Sequence, residues 1–64
     1  MMNKCKCCGS LTILEEGEYE ICEVCAWEDD PVQNADPSYK GGANRVSLIE
    51  AKNNYKLLGT SDPK

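Results

Sequence analysis

The chain has 64 residues, five of them cysteine, a formal charge of −4, and neither histidine nor phenylalanine. A chain this short makes one domain whose apolar core supplies only ~3–5 kcal/mol, so disulfides, a metal or a partner subunit must staple it. The acidic balance argues against non-specific attraction to nucleic acid or an anionic membrane, no run is long enough to span a bilayer, and an odd cysteine count excludes complete disulfide pairing.

The residues Met1-Met2-Asn3-Lys4 run straight into Cys5 without an apolar stretch, so no signal peptide is expected. The expected location is the reducing cytoplasm, where clustered cysteines serve as metal ligands or redox groups rather than as disulfides. Residues 5–9, Cys-Lys-Cys-Cys-Gly, form a first cluster. Residues 10–21 predict a β-hairpin, with strands at 11–14 and 19–21 and a turn at 15–18 that uses the permissive backbone of Gly17. In that hairpin Leu11 and Ile13 share one face, as do Tyr19 and Ile21. Residues 22–26, Cys-Glu-Val-Cys-Ala, form the second cluster. Residues 27–46 are rich in Pro, Gly and Asp and predict a loop. Ser47 and Glu50 make a capping box for a helix over 48–58, with Leu48, Ala51, Tyr55 and Leu58 on its apolar stripe and Gly59 as its stop. The tail from Thr60 to Lys64 is expected to fray.

The strongest chemical signal is Cys5-x-x-Cys8 followed by Cys22-x-x-Cys25. Two intervening residues let a tight turn aim both sulfurs at one point, while its amides stabilise the thiolates. Thirteen residues separate Cys8 from Cys22, which is room for a hairpin that returns the chain to its origin. Four sulfurs then close a tetrahedron around one structural zinc ion. The alternatives are four reduced, unliganded cysteines or a thioredoxin-like dithiol, and the latter needs a βαβ setting that this chain is too short to house. Structural zinc contributes on the order of 10–16 kcal/mol in small zinc domains, so folding and metal binding are expected to be one event. Four thiolates and one divalent ion bring the loaded chain near ~−6. Cys7, inside the first turn, is expected to be an inert thiol at the edge of the site; the alternative is a reactive thiol helped by Lys6.

The fold class is therefore a small metal-stapled α+β domain. It has a zinc-ribbon-like hairpin with two cysteine turns, an irregular loop and one C-terminal helix. Within the single domain 1–64 these occupy residues 5–26, 27–46 and 47–59.

Several segments in order resemble the bacterial cysteine-rich CPCC family: Cys5-Lys6-Cys7-Cys8-Gly9, Tyr19-Glu20-Ile21-Cys22-Glu23-Val24-Cys25, Trp27-Glu28-Asp29-Asp30-Pro31-Val32-Gln33, Gly41-Gly42-Ala43-Asn44 and Ser47-Leu48. The resemblance covers residues 5–58 and implies a small zinc-binding domain, with no activity attached. Lys6 and Glu23 stand where the family pattern has proline, which leaves both turns less stiff but removes no ligand.

Residues 15–30 carry eight acidic side chains and no Lys or Arg. Such a run is either a solvated surface or a docking face for a basic protein. Trp27, Glu28, Asp29 and Asp30 are the candidate contact residues. Against that, Trp27 is expected to pack over the cysteine site, and Asp29 and Asp30 to pair with Lys40, Arg45 or the start of the helix at Ser47. Gly41-Gly42-Ala43-Asn44 lacks the ending of a phosphate loop. With no histidine, and a four-cysteine site closed to water, no enzyme is expected. The leading function is a non-catalytic zinc-stabilised protein-interaction module. The alternatives are an acidic inhibitor or immunity-type protein covering a basic, nuclease-like surface, and a rubredoxin-like electron carrier with iron in the four sulfurs. An iron site is coloured when oxidised and a zinc site is not.

Overall fold

Each cysteine turn forms the tip of its own small hairpin. In the computed structural model, which describes residues 2–63, strand β1 (Asn3–Lys4) pairs antiparallel with β2 (Leu11–Ile13) around the first cluster. The register runs Asn3 to Ile13 and Lys4 to Leu11, so Thr12 is an extra residue, a bulge. That bulge breaks the two-residue alternation: Ile13 is buried while Leu11 stays exposed. The second cluster repeats the arrangement. Tyr19 donates to the Asp29 carbonyl and Asp29 to the Glu20 carbonyl, while an Ile21–Glu28 bridge completes the pairing.

The expected hairpin of strands 11–14 and 19–21 does not form, for two local reasons. The Glu20 carboxylate accepts the amides of Leu14 and Glu15 at 2.8 and 2.7 Å, which removes those amides from any ladder. Tyr19 sits at φ +60, in the left-handed region that a strand excludes. Leu11 and Ile13 do not share a buried face: Ile13 is buried, while Leu11, Tyr19 and Ile21 are exposed.

The segment 27–46 is also more ordered than a loop. Asp30 caps a short helix, α1 (Pro31–Ala35), by accepting from the amides of Val32 and Gln33, and Pro31 begins it with the φ a first turn requires. Gln33, fully buried, is the hub. Its amide nitrogen donates to the carbonyls of Tyr39, Asn44 and Val46, and its oxygen accepts from Asn44 twice. Asn44 in turn pairs with the backbone of Glu28, in the manner of a strand neighbour. Gly42 is required by this closeness: a Cβ there would collide with the Asp30 carboxylate and the Gln33 side chain. No buried side-chain nitrogen or oxygen among the described residues lacks a partner.

Helix α2 (Leu48–Leu58) has the expected bounds. Ser47 and Glu50 form the reciprocal capping box, and Gly59 ends the helix at φ +79. Leu48 and Ala51 are buried and Tyr55 packs at the edge, but Leu58 is exposed because the core ends before the helix does. The chain after α2 is held down rather than frayed as far as Asp62. The amide of Ser61 donates to the Cys25 carbonyl at 2.7 Å, Asn54 holds the Ser61 carbonyl, and Asp62 pairs with Arg45 at 2.6 Å. Lys64, also assigned to the frayed tail, lies outside the described residues. The core consists of Ile13, Trp27, Leu48, Ala51 and four of the five cysteines. These features make a zinc-ribbon-like α+β fold with four cysteines gathered as a metal site.

Candidate metal centre

The two cysteine turns are built alike. In the first, Cys5 donates its amide to the Ser10 carbonyl and Gly9 donates back to the Cys5 carbonyl; in the second, Cys22 donates to Trp27 and Ala26 donates to Cys22. The residue closing each turn is left-handed: Gly9 at φ +80 and Ala26 at φ +70. Glycine takes that conformation without cost, whereas alanine at Ala26 is strained. Lys6 and Glu23, at the proline positions, match each other in the two turns and both point to solvent.

The turns face each other and interleave their sulfurs. Cys5 Sγ lies 3.6 Å from Cys25 Sγ, and Cys8 Sγ lies 3.7 Å from Cys22 Sγ. All four sulfurs lie within 4.8 Å of one another. A tetrahedral ion with metal–sulfur bonds of about 2.3 Å requires sulfur–sulfur edges of about 3.8 Å, so the cluster has the dimensions of such a site. Cys5, Cys22 and Cys25 are buried and Cys8 lies at the edge. The chemistry of the donor set agrees with the geometry: four soft sulfurs with no carboxylate or imidazole among them suit zinc or iron.

The protein surrounds these sulfurs with donors. The amides of Cys8 and Cys7 point at Cys5, those of Cys25 and Val24 at Cys22, and that of Trp27 at Cys25. Thr12, the bulged residue of β2, places its hydroxyl 3.0 Å from Cys22 Sγ. Burial opposes ionisation at Cys22, but Thr12, the two amides and Cys8 together bring its thiol down to about 6. Burial pushes the Cys5 thiol up to about 11 and also raises Cys25, where the neighbouring Cys5 adds to the effect. Without a metal, then, burial opposes ionisation at Cys5 and Cys25 while the local donors favour it at Cys22. A cation at the centre removes that opposition.

Cys7 stands apart from the four. It is 8 % exposed, packs in the apolar core, and burial raises its thiol. Its position corresponds to the exposed Val24 of the second turn.

The candidate contact residues 27–30 mostly face inward. Trp27 is 0 % exposed, packs in the cysteine core, and donates its ring N–H to Asn34 at 3.0 Å. Asp29, 2 % exposed, accepts from Gly17 and Asn34; Asp30, 4 % exposed, accepts from Ala43, Val32 and Gln33. The Ala43 amide, outweighing burial, holds the Asp30 carboxyl below its usual range. Neither aspartate pairs with Lys40 or Arg45, which bind Glu50 and Asp62 instead. Glu28 alone is partly exposed. Sequence reasoning missed Thr12 and Asn44, whose partners lie ten or more residues away, and Asn34, which joins Trp27 to Asp29.

Compared with known proteins, the chain matches no curated protein. The family model described as cysteine-rich CPCC matches residues 3–64. That span contains both cysteine turns, the buried Trp27-to-Gln33 segment and its Gly42–Asn44 partner, and α2, so the match covers nearly the whole chain. The chain belongs to the cysteine-rich CPCC family.

Proposed function

We propose that this protein is a non-catalytic structural-zinc domain that works by binding another protein. One observation carries the zinc reading: four thiols from two matched turns gathered within 4.8 Å. A set of four sulfurs leaves no open position for water or substrate, and the sequence has no histidine to act as acid or base. The metal's work is then to hold together a domain whose own core is small. The interaction reading draws on the surface. Leu11, Leu14, Tyr19, Ile21 and Val24 are exposed, and along the chain they alternate with exposed Glu15, Glu16, Glu18 and Glu23. Exposed apolar groups in number, interspersed with acidic residues along the chain, suit a docking surface.

The test has two readouts. Protein purified under native conditions is expected to carry one zinc per chain, and chelation is expected to abolish its dispersed NMR spectrum. The zinc-loaded protein, immobilised, is expected to retain a specific partner from its native lysate in the cytoplasmic fraction. Red, iron-loaded protein would favour the electron carrier instead. An acidic inhibitor remains the second reading because residues 7–39 contain nine acidic residues and no Lys or Arg. Its contact would fall on the exposed glutamates, since Asp29 and Asp30 are occupied internally. A partner that proves to be a basic nuclease would decide for it.

A further inference from the structure

Thr12 lies in neither cysteine turn, yet its hydroxyl reaches the metal centre. It is the extra residue of the β1–β2 pairing, and its side-chain oxygen sits 3.0 Å from Cys22 Sγ of the second turn. The other acceptor within reach is the Ser10 carbonyl, at 3.5 Å. That carbonyl already accepts the Cys5 amide at 2.8 Å and the Thr12 amide at 3.0 Å, which fills its two lone pairs. The sulfur is therefore both the nearer and the freer acceptor. A cysteine sulfur bound to a metal carries no proton, so the hydroxyl donates and Cys22 accepts. Cys22 is buried and Thr12 half-buried, so water competes weakly for this bond.

The arrangement is one-sided. Cys5 and Cys22 hold matching places, each donating its amide to the carbonyl five residues on. By the same count the counterpart of Thr12 is Asp29, a carboxylate engaged by Gly17 and Asn34, which has no proton to send back to the first turn. We propose that Thr12 is a positioning residue of the metal centre: its hydroxyl donates to the metal-bound Cys22 sulfur, draws charge from it, and couples the β1–β2 hairpin to the second cysteine turn. The inference rests on the structural-metal reading of the four cysteines and adds a residue outside the ligand set to it. Four thiolates and a divalent ion leave about two negative charges in a buried site, and a donor aimed at one sulfur offsets part of that charge. The Val24 amide, at 3.4 Å from Cys22 Sγ, does this from within the turn. Thr12 does it from the other hairpin, so the bond also fixes how the two hairpins meet.

The experiment compares the full wild-type chain with Thr12→Val, which keeps the shape and removes the hydroxyl, and Thr12→Ser, which keeps the hydroxyl and removes the methyl. Co2+ is the spectroscopic probe, through its sulfur-to-metal charge-transfer band, and Zn2+ is the affinity probe. A hydrogen bond stabilises the sulfur electrons, so the band of Thr12→Val at saturating Co2+ is expected to move to lower energy, while Thr12→Ser keeps the wild-type band. In competition with a chromophoric chelator, Thr12→Val is expected to hold Zn2+ roughly 10–100-fold more weakly, and Thr12→Ser to stay within about threefold of wild type. A valine variant that takes up no Co2+, beside a serine variant that matches wild type, assigns the loss to the hydroxyl as well. An unshifted band in Thr12→Val, or a serine variant weakened as much as the valine one, would overturn the inference, because packing alone would then account for Thr12. The two readings fail separately. A wild-type band with Thr12→Val unshifted removes the role of Thr12 and keeps the metal centre; a wild-type chain that gives no sulfur-to-cobalt band removes the metal reading and this inference with it.

Discussion

Replacing Ala26 by glycine should strengthen this protein, although glycine in a folded chain ordinarily weakens it. Ala26 closes the second cysteine turn at φ +70, the position that Gly9 fills at φ +80 in the first. A left-handed backbone costs an L-residue roughly 1–2 kcal/mol. Glycine removes that cost but returns about 0.4–1 kcal/mol through the greater freedom of its unfolded chain. The net gain expected for Ala26→Gly is about 0.5–1 kcal/mol. On the proposed coupling of folding to zinc binding, the gain should appear as zinc affinity about two- to fivefold tighter in competition with a chromophoric chelator. Gly9→Ala should lose a similar amount. A Cβ there meets nothing within 4 Å, so only the backbone conformation is charged. The double exchange, Gly9→Ala with Ala26→Gly, should return the affinity to within about 0.5 kcal/mol of wild type if the sites act independently. A loss of affinity in Ala26→Gly would refute the matched-turn geometry on which the metal centre is built.

Other expectations follow from the same contacts. Serine at Cys5, Cys8, Cys22 or Cys25 should abolish both metal binding and the folded NMR spectrum, whereas Cys7→Ser should keep the metal and lose at most about 1–2 kcal/mol in a denaturant melt, the cost of a hydroxyl in an apolar site. Asp30→Ala should cost about 2–3 kcal/mol by the same measure, since it removes the cap of α1 and orphans the Ala43 amide. In acid, metal-bound thiolates are held well below the thiol range of the unfolded chain, so their contribution is complete above that range and is lost as pH falls. Asp30, also held below its ordinary value, loses its contribution lower still, as pH falls through the carboxylate range. Metal release, followed by thiolate absorbance, should therefore precede the loss of the α1 contacts; the reverse order in a pH-jump NMR series would contradict this ranking.

What could be read from the sequence was local. The Cys-x-x-Cys spacings identify the four sulfurs because a two-residue gap fixes a turn. Ser47, Glu50 and Gly59 fix both ends of α2 because caps act within three or four residues. The hairpin was misplaced because its decisive feature is a side chain: Glu20 captures the Leu14 and Glu15 amides that a strand would have used. Helix α1 had a local signal, the cap–proline pair Asp30-Pro31, but only five residues follow it before the next proline segment begins. Asp29 and Asp30 look like surface charge because the amides they satisfy, at Gly17 and Ala43, are more than ten residues away. Their acidity is structural: carboxylates replace a sheet in pairing loop amides.

The central claim is that one zinc ion, held by four sulfurs and nothing else, completes this fold. X-ray absorption at the zinc edge of natively purified protein tests it directly. The account predicts one zinc per chain with four sulfur neighbours at about 2.3 Å and no light-atom ligand. Iron in place of zinc, or zinc with three sulfurs and a bound oxygen, would contradict it.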